Sequence, residues 1–207
     1  MFISFEGVDG SGKSTQINLL KIEIERNGFE CVLLEEPGTT LVGLEIRKIL
    51  KDYEKVGELS SVTELFLFAA SRSELVDKEI KPLLARREKV IIADRYIDST
   101  LAYQGYGRGY DTDKINYINN IVTQGIKPDL TFLLDCSPSQ SISRIDKSGS
   151  KDRFESEGLD FYQAIRLGYL EIAKFEPERL KVIDAELPIP DVASKIWEIT
   201  KNLIKEY

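Results

Sequence analysis

The chain has 207 residues, of which 42% are hydrophobic and 30% charged, and it carries a formal net charge of −7 at pH 7. This length suffices for one domain with a sizeable core, the negative charge argues against broad nucleic-acid binding, and no apolar run approaches the roughly 20 residues that span a bilayer. The sequence has no histidine and only two cysteines, Cys31 and Cys136, which excludes histidine-based triads, a disulfide framework and a cysteine-rich zinc site.

Short apolar runs alternate along the chain with longer segments of helical period, a pattern typical of a parallel sheet covered by helices. The predicted strands span residues 2–5, 30–34, 90–93, 130–134 and 181–183. The predicted helices span residues 13–27, 41–51, 61–86 with a break at Pro82, 113–123, 138–146, 160–175 and 191–205. We therefore predict an α/β fold in which a five-stranded parallel sheet carries helices on both faces, as a single domain over residues 1–207.

A glycine-rich motif joins the first predicted strand to the first predicted helix. Its glycines let the backbone turn sharply, so that N–H groups and the helix N-terminus converge on phosphate oxygens. The motif satisfies G-x-x-x-x-G-K-[ST], the P-loop, in which the lysine reaches the β- and γ-phosphates and the serine hydroxyl ligates magnesium. The predicted ATP-binding residues are therefore Gly7, Val8, Asp9, Gly10, Ser11, Gly12, Lys13, Ser14 and Thr15.

The strand at residues 90–93 is followed by Asp94 and Arg95, at the edge of a parallel sheet where ligands bind in open α/β folds. An ionised Asp94 can hold magnesium or its waters, and Arg95 offers a planar fork to a phosphate of the second substrate. Asp135 ends the next strand and competes with Asp94 for the metal.

Five segments together resemble the thymidylate kinase family, and the resemblance runs through nearly the whole chain. They are FEGVDGSGKST, EEPGTT, LFAASR, DRYIDSTLAYQG and a segment that ends in DRFE. The resemblance implies a P-loop NTPase fold, ATP and Mg as cofactors, a homodimer, and transfer of the γ-phosphoryl group of ATP to dTMP, giving dTDP and ADP for dTTP synthesis. It also favours Asp94 over Asp135 for the metal, because the neighbours of Asp94 match the family as well.

The same resemblance implies where the monophosphate and the base of dTMP bind. Glu36, Pro37 and Gly38, with Arg47 on the next helix, would border the monophosphate. Phe68 and Arg72 lie four residues apart on a predicted helix and so share one face. The ring of Phe68 would stack on the pyrimidine while Arg72 donates to the O4 atom of thymine, where cytosine presents an amino donor instead.

Further residues are assigned by the resemblance to the base and the sugar. Ser99 and, less firmly, Gln104 would lie near the base. Tyr103 would pack against the 2′ carbon, leave no room for a 2′-hydroxyl and so select deoxyribose. Asp9 would touch either the 3′-hydroxyl or the magnesium shell, and an ordinary turn-forming aspartate is the alternative.

Phosphoryl transfer needs cations that stabilise the transition state. The catalytic residues that we predict are Lys13, Arg95, Asp9 and a cation from residues 147–158, a glycine-, serine- and charge-rich segment predicted to form a short mobile lid. One branch of the family has an arginine at the position of Gly10 here, whereas this chain resembles the branch with basic lid residues. The candidates are Arg144, Lys147, Lys151 and Arg153, with Arg153 first and Arg144, beside the nucleotide, second.

Three other functions are weighed against this one. A different P-loop kinase, for adenylate, cytidylate or a deoxynucleoside, would lack the combination of Phe68, Arg72 and Tyr103. A guanine-nucleotide switch would need an N-K-x-D segment, which the chain lacks, and a non-catalytic nucleotide-binding module would release no ADP. The N-terminus does not resemble a secretory signal, so we expect a cytoplasmic protein with small-molecule partners, no nucleic acid and no membrane.

Overall fold

The computed structural model describes residues 1–51, 56–86, 89–148 and 153–204. Five parallel strands form one sheet in the order β2-β3-β1-β4-β5, which confirms the predicted architecture. Each predicted strand lies within an observed one and differs from it by at most one residue at either end. The strands are β1 Phe2–Glu6, β2 Glu30–Glu35, β3 Lys89–Asp94, β4 Leu130–Asp135 and β5 Leu180–Asp184.

Helices connect these strands, and the connections that follow β2 and β3 also contain wider π-helical turns, at Val76–Ile80 and Leu101–Gly107. None of the helices in the described ranges is long and apolar enough to cross a membrane. The α-helices are α1 Lys13–Arg26, α2 Leu41–Lys51, α3 Ser61–Leu75, α4 Lys81–Ala85, α5 Ile97–Thr100, α6 Thr112–Thr123, α7 Pro138–Ser148, α8 Leu159–Phe175 and α9 Ile189–Ile204.

Strand β3 shows why both faces of the sheet must be covered. Successive side chains of a strand point to opposite faces, and here both sets are apolar. Val90 and Ile92 belong to one buried apolar cluster, whereas Ile91 and Ala93 belong to a second. Two cores therefore sandwich the sheet, and its carboxyl edge remains for a ligand site.

The structure contradicts the helix break that was predicted at Pro82. The helix continues past it because the π turn Val76–Ile80 lies directly upstream and the Lys81 N–H bonds to the Val76 carbonyl, five residues back. Proline lacks an N–H and crowds the preceding turn, so a wider turn before it accommodates the ring without stopping the helix. Pro82 then occupies the start of α4.

The helical stretch that begins at Ile97 and ends at Gly107 was not predicted, because its serine, threonine, tyrosine and glycine residues have low helix propensity. Tertiary packing against α8 compensates for that. A Cβ atom at Gly168 would lie 2.5 Å from Cγ of Tyr106, and one at Gly107 would lie 2.7 Å from Cε2 of Phe161. Glycine at these two positions lets the segment and α8 approach closely.

Candidate active site

A cleft of about 420 Å³ lies at the carboxyl edge of the sheet, between the loops that follow β1, β2 and β3. It brings together most of the residues that the sequence singled out, although they are spread over almost a hundred positions. The predicted residues that line it are Asp9, Gly10, Gly12, Lys13, Ser14, Thr15, Glu36, Pro37, Arg47, Phe68, Arg72, Asp94, Arg95, Ser99, Tyr103 and Gln104.

The P-loop has the backbone that its glycines predict. Gly7, Gly10 and Gly12 have φ values of 135°, 75° and 93°. Cβ atoms at the first two would lie 2.6 Å from the Leu134 carbonyl oxygen and 2.7 Å from that of Ser141, so only glycine fits there. Helix α1 begins after Gly12 without a side-chain cap, which leaves its first N–H groups available to an anion.

Lys13 is almost completely buried and its ammonium group donates to the carbonyl oxygens of Gly7 and Val8, each at 3.2 Å. Burial, together with the nearby Arg95 charge, lowers the pKa of Lys13 despite the surrounding carboxylates. The side chain thus folds over the loop that would hold a triphosphate.

Two oxygen donors suitable for a hard divalent cation lie side by side. The Ser14 hydroxyl donates to a carboxylate oxygen of Asp94 at 3.4 Å. The competing Asp135 instead accepts two hydrogen bonds from the Arg166 guanidinium, at 2.7 and 2.8 Å. A hydroxyl and one carboxylate suit magnesium, which keeps waters and substrate phosphates as its other ligands.

Arg95 is the centre of a polar network on the opposite wall of the cleft. Its guanidinium bonds to Asp9 at 2.5 Å, Ser99 at 3.1 Å and the Tyr103 hydroxyl at 3.1 Å, and it lies 4.9 Å above the Tyr103 ring. Its backbone has a φ of 72°, which a non-glycine residue adopts only at a cost. The strained turn directs a charged fork from the end of β3 into the cleft.

Asp9 joins this network from the P-loop. Besides its ion pair with Arg95, it accepts a hydrogen bond from the Tyr103 hydroxyl at 2.9 Å. Burial opposes ionisation of this carboxyl, but the charges of Arg95 and Lys13 outweigh it and hold the pKa of Asp9 well below its usual range. The carboxylate is therefore ionised and links the P-loop to the residues after β3.

Sequence reasoning missed Glu6, the last residue of β1, which is fully buried beneath this network. Its carboxylate accepts from the Tyr96 N–H at 2.8 Å, the Ser99 hydroxyl at 2.5 Å and the Tyr169 hydroxyl at 3.0 Å. Burial and the Asp98 charge raise its pKa to about 7. A charged residue at the end of a mainly apolar strand was the available signal.

Arg72 is also buried, and its guanidinium donates four hydrogen bonds to protein acceptors. It forms an ion pair with Glu36 at 2.5 Å, and its other bonds go to Thr100, Asn119 and the Tyr96 carbonyl. Burial raises the pKa of Glu36, and Arg72 opposes that change. A contact with thymine O4 would therefore require Arg72 to exchange one of these partners.

The loop after β2 contains a cis peptide bond between Glu36 and Pro37. Arg47 of α2 donates to the Pro37 carbonyl at 2.6 Å and forms an ion pair with Glu35 at 2.7 Å. Arg47 thus lies against the loop that was predicted to border the monophosphate.

Known proteins of one family are similar to this chain over nearly its whole length. The family described as Thymidylate kinase matches residues 5–196. A thymidylate kinase of Kosmotoga olearia is 43% identical over 95% of this chain and 93% of its own, and one of Chlorobaculum parvum is 44% identical over 98% and 96%. A crystal structure of thymidylate kinase from Ehrlichia chaffeensis superposes with a TM-score of 0.79 at 36% identity, over 97% of this chain and 98% of that one.

The chain belongs to the thymidylate kinase family. The two arginines predicted as candidate transition-state cations occupy different places in the structure. Arg144 of α7 donates to the Gly10 carbonyl at 3.2 Å and to the Ala185 carbonyl at 3.1 Å, which places it against the P-loop. Arg153 instead bonds to Glu64 of α3 and to the Leu50 carbonyl of α2.

The lid predicted for this thymidylate kinase family member is described in part. Lys147 lies in the last turn of α7. Lys151 lies outside the described residues. Beyond the gap, Phe154 lines the cleft with Phe68 and Tyr103, a contribution that sequence reasoning missed because an apolar residue in a charged loop carries no chemical signal.

Proposed function

We propose that the cleft binds ATP on the P-loop and dTMP between α3 and the segment after β3, so that the γ-phosphoryl group passes between them. As a member of the thymidylate kinase family, the chain transfers this group from ATP to dTMP, giving dTDP and ADP. The observation that carries the proposal is the convergence of two cationic groups, Lys13 from the P-loop and Arg95 from β3, on one cleft. One suits the triphosphate and the other the monophosphate.

On the nucleotide side, the proposed ligands of ATP are the P-loop residues Gly7 to Thr15. Lys13 would leave the carbonyl oxygens of Gly7 and Val8 for the β- and γ-phosphates, which are far better acceptors for an ammonium group. Arg144, already bonded to the P-loop at Gly10, would border the nucleotide from α7.

Ser14 and Asp94 are the proposed holders of Mg and its waters. When bound, the ion neutralises charge on the phosphate oxygens during transfer. Asp135 has a structural role in this proposal because Arg166 engages both of its carboxylate oxygens. No protein general base is needed, since the acceptor is itself a phosphate anion.

On the acceptor side, Arg95 and Arg47 would bind the monophosphate, with Glu36 and Pro37 bordering it. Asp9 fixes the guanidinium of Arg95 and would meet the 3′-hydroxyl. Phe68, Arg72, Ser99, Tyr103 and Gln104 line the space proposed for the base and sugar. The cation that stabilises the transition state stays a prediction, with Arg153 of residues 147–158 and Arg144 of α7 as its candidates.

The proposal is tested by ADP release from ATP and magnesium with and without dTMP. We expect release that depends on dTMP and stops when magnesium is chelated. ADP release that does not depend on dTMP would indicate that the protein hydrolyses ATP without transfer to dTMP, and it would contradict the proposal.

We also propose a single domain with a lid at residues 147–158, acting as a cytoplasmic homodimer. Exposed apolar side chains on α2 and α3 support the dimer: Leu41 is 84% exposed, and Val62 and Phe66, one turn apart, are 44% and 55% exposed. Sedimentation of the wild type and of Phe66→Glu tests this. A dimeric wild type and a monomeric variant are expected, and a monomeric wild type would contradict the assembly.

A further inference from the structure

A chain of four alternating charges holds the described end of the lid. Arg153 pairs with Glu64 of α3 at 2.5 Å, and Arg108 approaches the other oxygen of the same carboxylate at 3.4 Å. Arg108 also pairs with Glu157 at 2.6 Å. Since Arg153 and Glu157 lie four residues apart in the lid, the segment is attached at two points, to α3 and to the end of the Leu101–Gly107 turn.

Because the ion pair between Arg153 and Glu64 is buried, breaking it is costly. The side chain of Glu64 is 1% exposed and that of Arg153 is 10% exposed. A buried carboxylate is costly unless it is paired and hydrogen-bonded. If Arg153 left, the partners of Glu64 among the described residues would be Gln104 at 2.8 Å and, through longer contacts, Arg108.

Arg153 has a second partner and a ring contact that fix its orientation. Its Nε–H donates to the Leu50 carbonyl at 3.1 Å, near the end of α2. Its guanidinium lies 4.6 Å from the ring centre of Phe154, within cation–π range. These contacts hold the guanidinium of Arg153 in place beside Phe154, so Arg153 is suited to orient that ring. A guanidinium held in this way is poorly suited to move with a phosphoryl group during its transfer.

Phe154 is the residue that this arrangement orients. Its ring centre lies 5.9 Å from that of Phe68 and 6.1 Å from that of Tyr103, the residues proposed to contact the base and the sugar. The side chain is 7% exposed and lines the cleft. It therefore forms the wall that faces the nucleoside of the acceptor.

We infer that Glu64, through Arg153 and Arg108, anchors residues 153–157 so that Phe154 closes the acceptor pocket between Phe68 and Tyr103. Arg153 is then a positioning residue for the monophosphate substrate, and the transition-state cation comes from elsewhere, with Arg144 against the P-loop as the next candidate. The inference rests on the proposed function, because it assumes that this part of the cleft binds dTMP.

The test measures kcat, KM for dTMP and KM for ATP in Arg153→Met, Glu64→Gln and the double variant. We expect each single variant to raise the KM for dTMP about tenfold or more, since a displaced wall misplaces the acceptor. The KM for ATP should change less than about twofold and kcat less than about fivefold. The double variant should be no worse than the more impaired single one, because both remove the same contact.

Two results would overturn the inference. One is a fall in kcat of about 10³-fold in Arg153→Met with an unchanged KM for dTMP, as expected for an arginine that stabilises the transition state. The other is a Glu64→Gln variant with an unaltered KM for dTMP. Arg26→Met, which removes an exposed arginine from α1, is the control and should match the wild type.

Glu64→Gln can fail to fold, so Phe154→Ala provides a second route. It removes the wall without touching a charge and should raise the KM for dTMP at least as much as Arg153→Met, and an unchanged KM would overturn the inference. A wild type that does not phosphorylate dTMP would defeat the proposed function. A wild type that does so, with variants that leave its KM unchanged, would defeat this inference alone.

Discussion

The buried carboxyl group of Glu6 makes the free energy of unfolding depend on pH. Its pKa rises from an ordinary value of 4.5 to about 7, because of burial and of the Asp98 charge. Hydrogen bonds from Ser99 and the Tyr96 N–H and the charge of Arg95 oppose the rise but do not cancel it. The native state therefore retains a proton that the unfolded chain has lost between these two pH values.

The sign and the size follow from proton linkage. Below pH 4.5 Glu6 is protonated in both states and costs nothing. As the pH rises towards 7, the unfolded state releases the proton. This stabilises the unfolded state relative to the native state by about 1.4 kcal/mol for each pH unit. Above pH 7 the full penalty on the native state is about 3 kcal/mol.

Glu6→Gln removes this titration and keeps the shape of the side chain. We expect the free energy of unfolding of the variant, relative to the wild type, to rise by about 3 kcal/mol between pH 4.5 and pH 8. Any hydrogen bond that the substitution weakens adds an offset that is independent of pH. Urea unfolding at several pH values measures the difference, and Glu178→Gln, at a fully exposed glutamate, should reproduce the wild-type profile. A difference that stays constant or falls with pH would refute the assignment.

Three further predictions concern single residues. Lys13→Met should lower kcat about 10²-fold or more with little change in the KM for dTMP, since the lysine serves the triphosphate, and an unchanged kcat would contradict this. Arg72→Met should cost about 3–5 kcal/mol of stability, because it leaves Glu36 buried without its partner, and denaturant unfolding that shows a loss below about 1 kcal/mol would argue against it. Burial raises the pKa of Cys31 to about 12 and that of Cys136 to about 11. A thiol reagent at pH 8 should therefore label neither cysteine until the protein is unfolded. Rapid labelling of the native protein would contradict the burial of these thiols.

The strands and the P-loop could be predicted because local sequence determines them. Apolar runs of the right length define a buried parallel strand, and glycine at Gly7 and Gly10 is required by nearby backbone atoms. The helical stretch after Ile97 could not be predicted, since its own propensity is poor and its packing against α8 supplies the stability. The helix break predicted at Pro82 was wrong for a similar reason, because no sequence pattern indicates the wider turn that accommodates this proline.

The site shows the same division. The residue types and spacing identified Lys13, Arg95 and Tyr103, and the fold brings them to one cleft. The partners of Arg153 and Arg72 could not be predicted, because several of them come from distant parts of the chain. The sequence alone gave no reason to pair Arg153 with Glu64, 89 residues away, or to expect that Arg72 would use its donors within the protein.

The most direct test of the account is the rate of phosphorylation of dTMP, dUMP, dCMP, AMP and the ribose form of TMP by the wild type with magnesium and ATP. An acceptor pocket lined by Phe68, Arg72 and Tyr103 predicts that dTMP has the highest kcat/KM. It also predicts that dCMP and the ribose form are poorer substrates by about tenfold or more, since each loses a hydrogen bond or meets the Tyr103 ring. Equal kcat/KM values for dTMP and dCMP would contradict the assignment of this pocket to thymine.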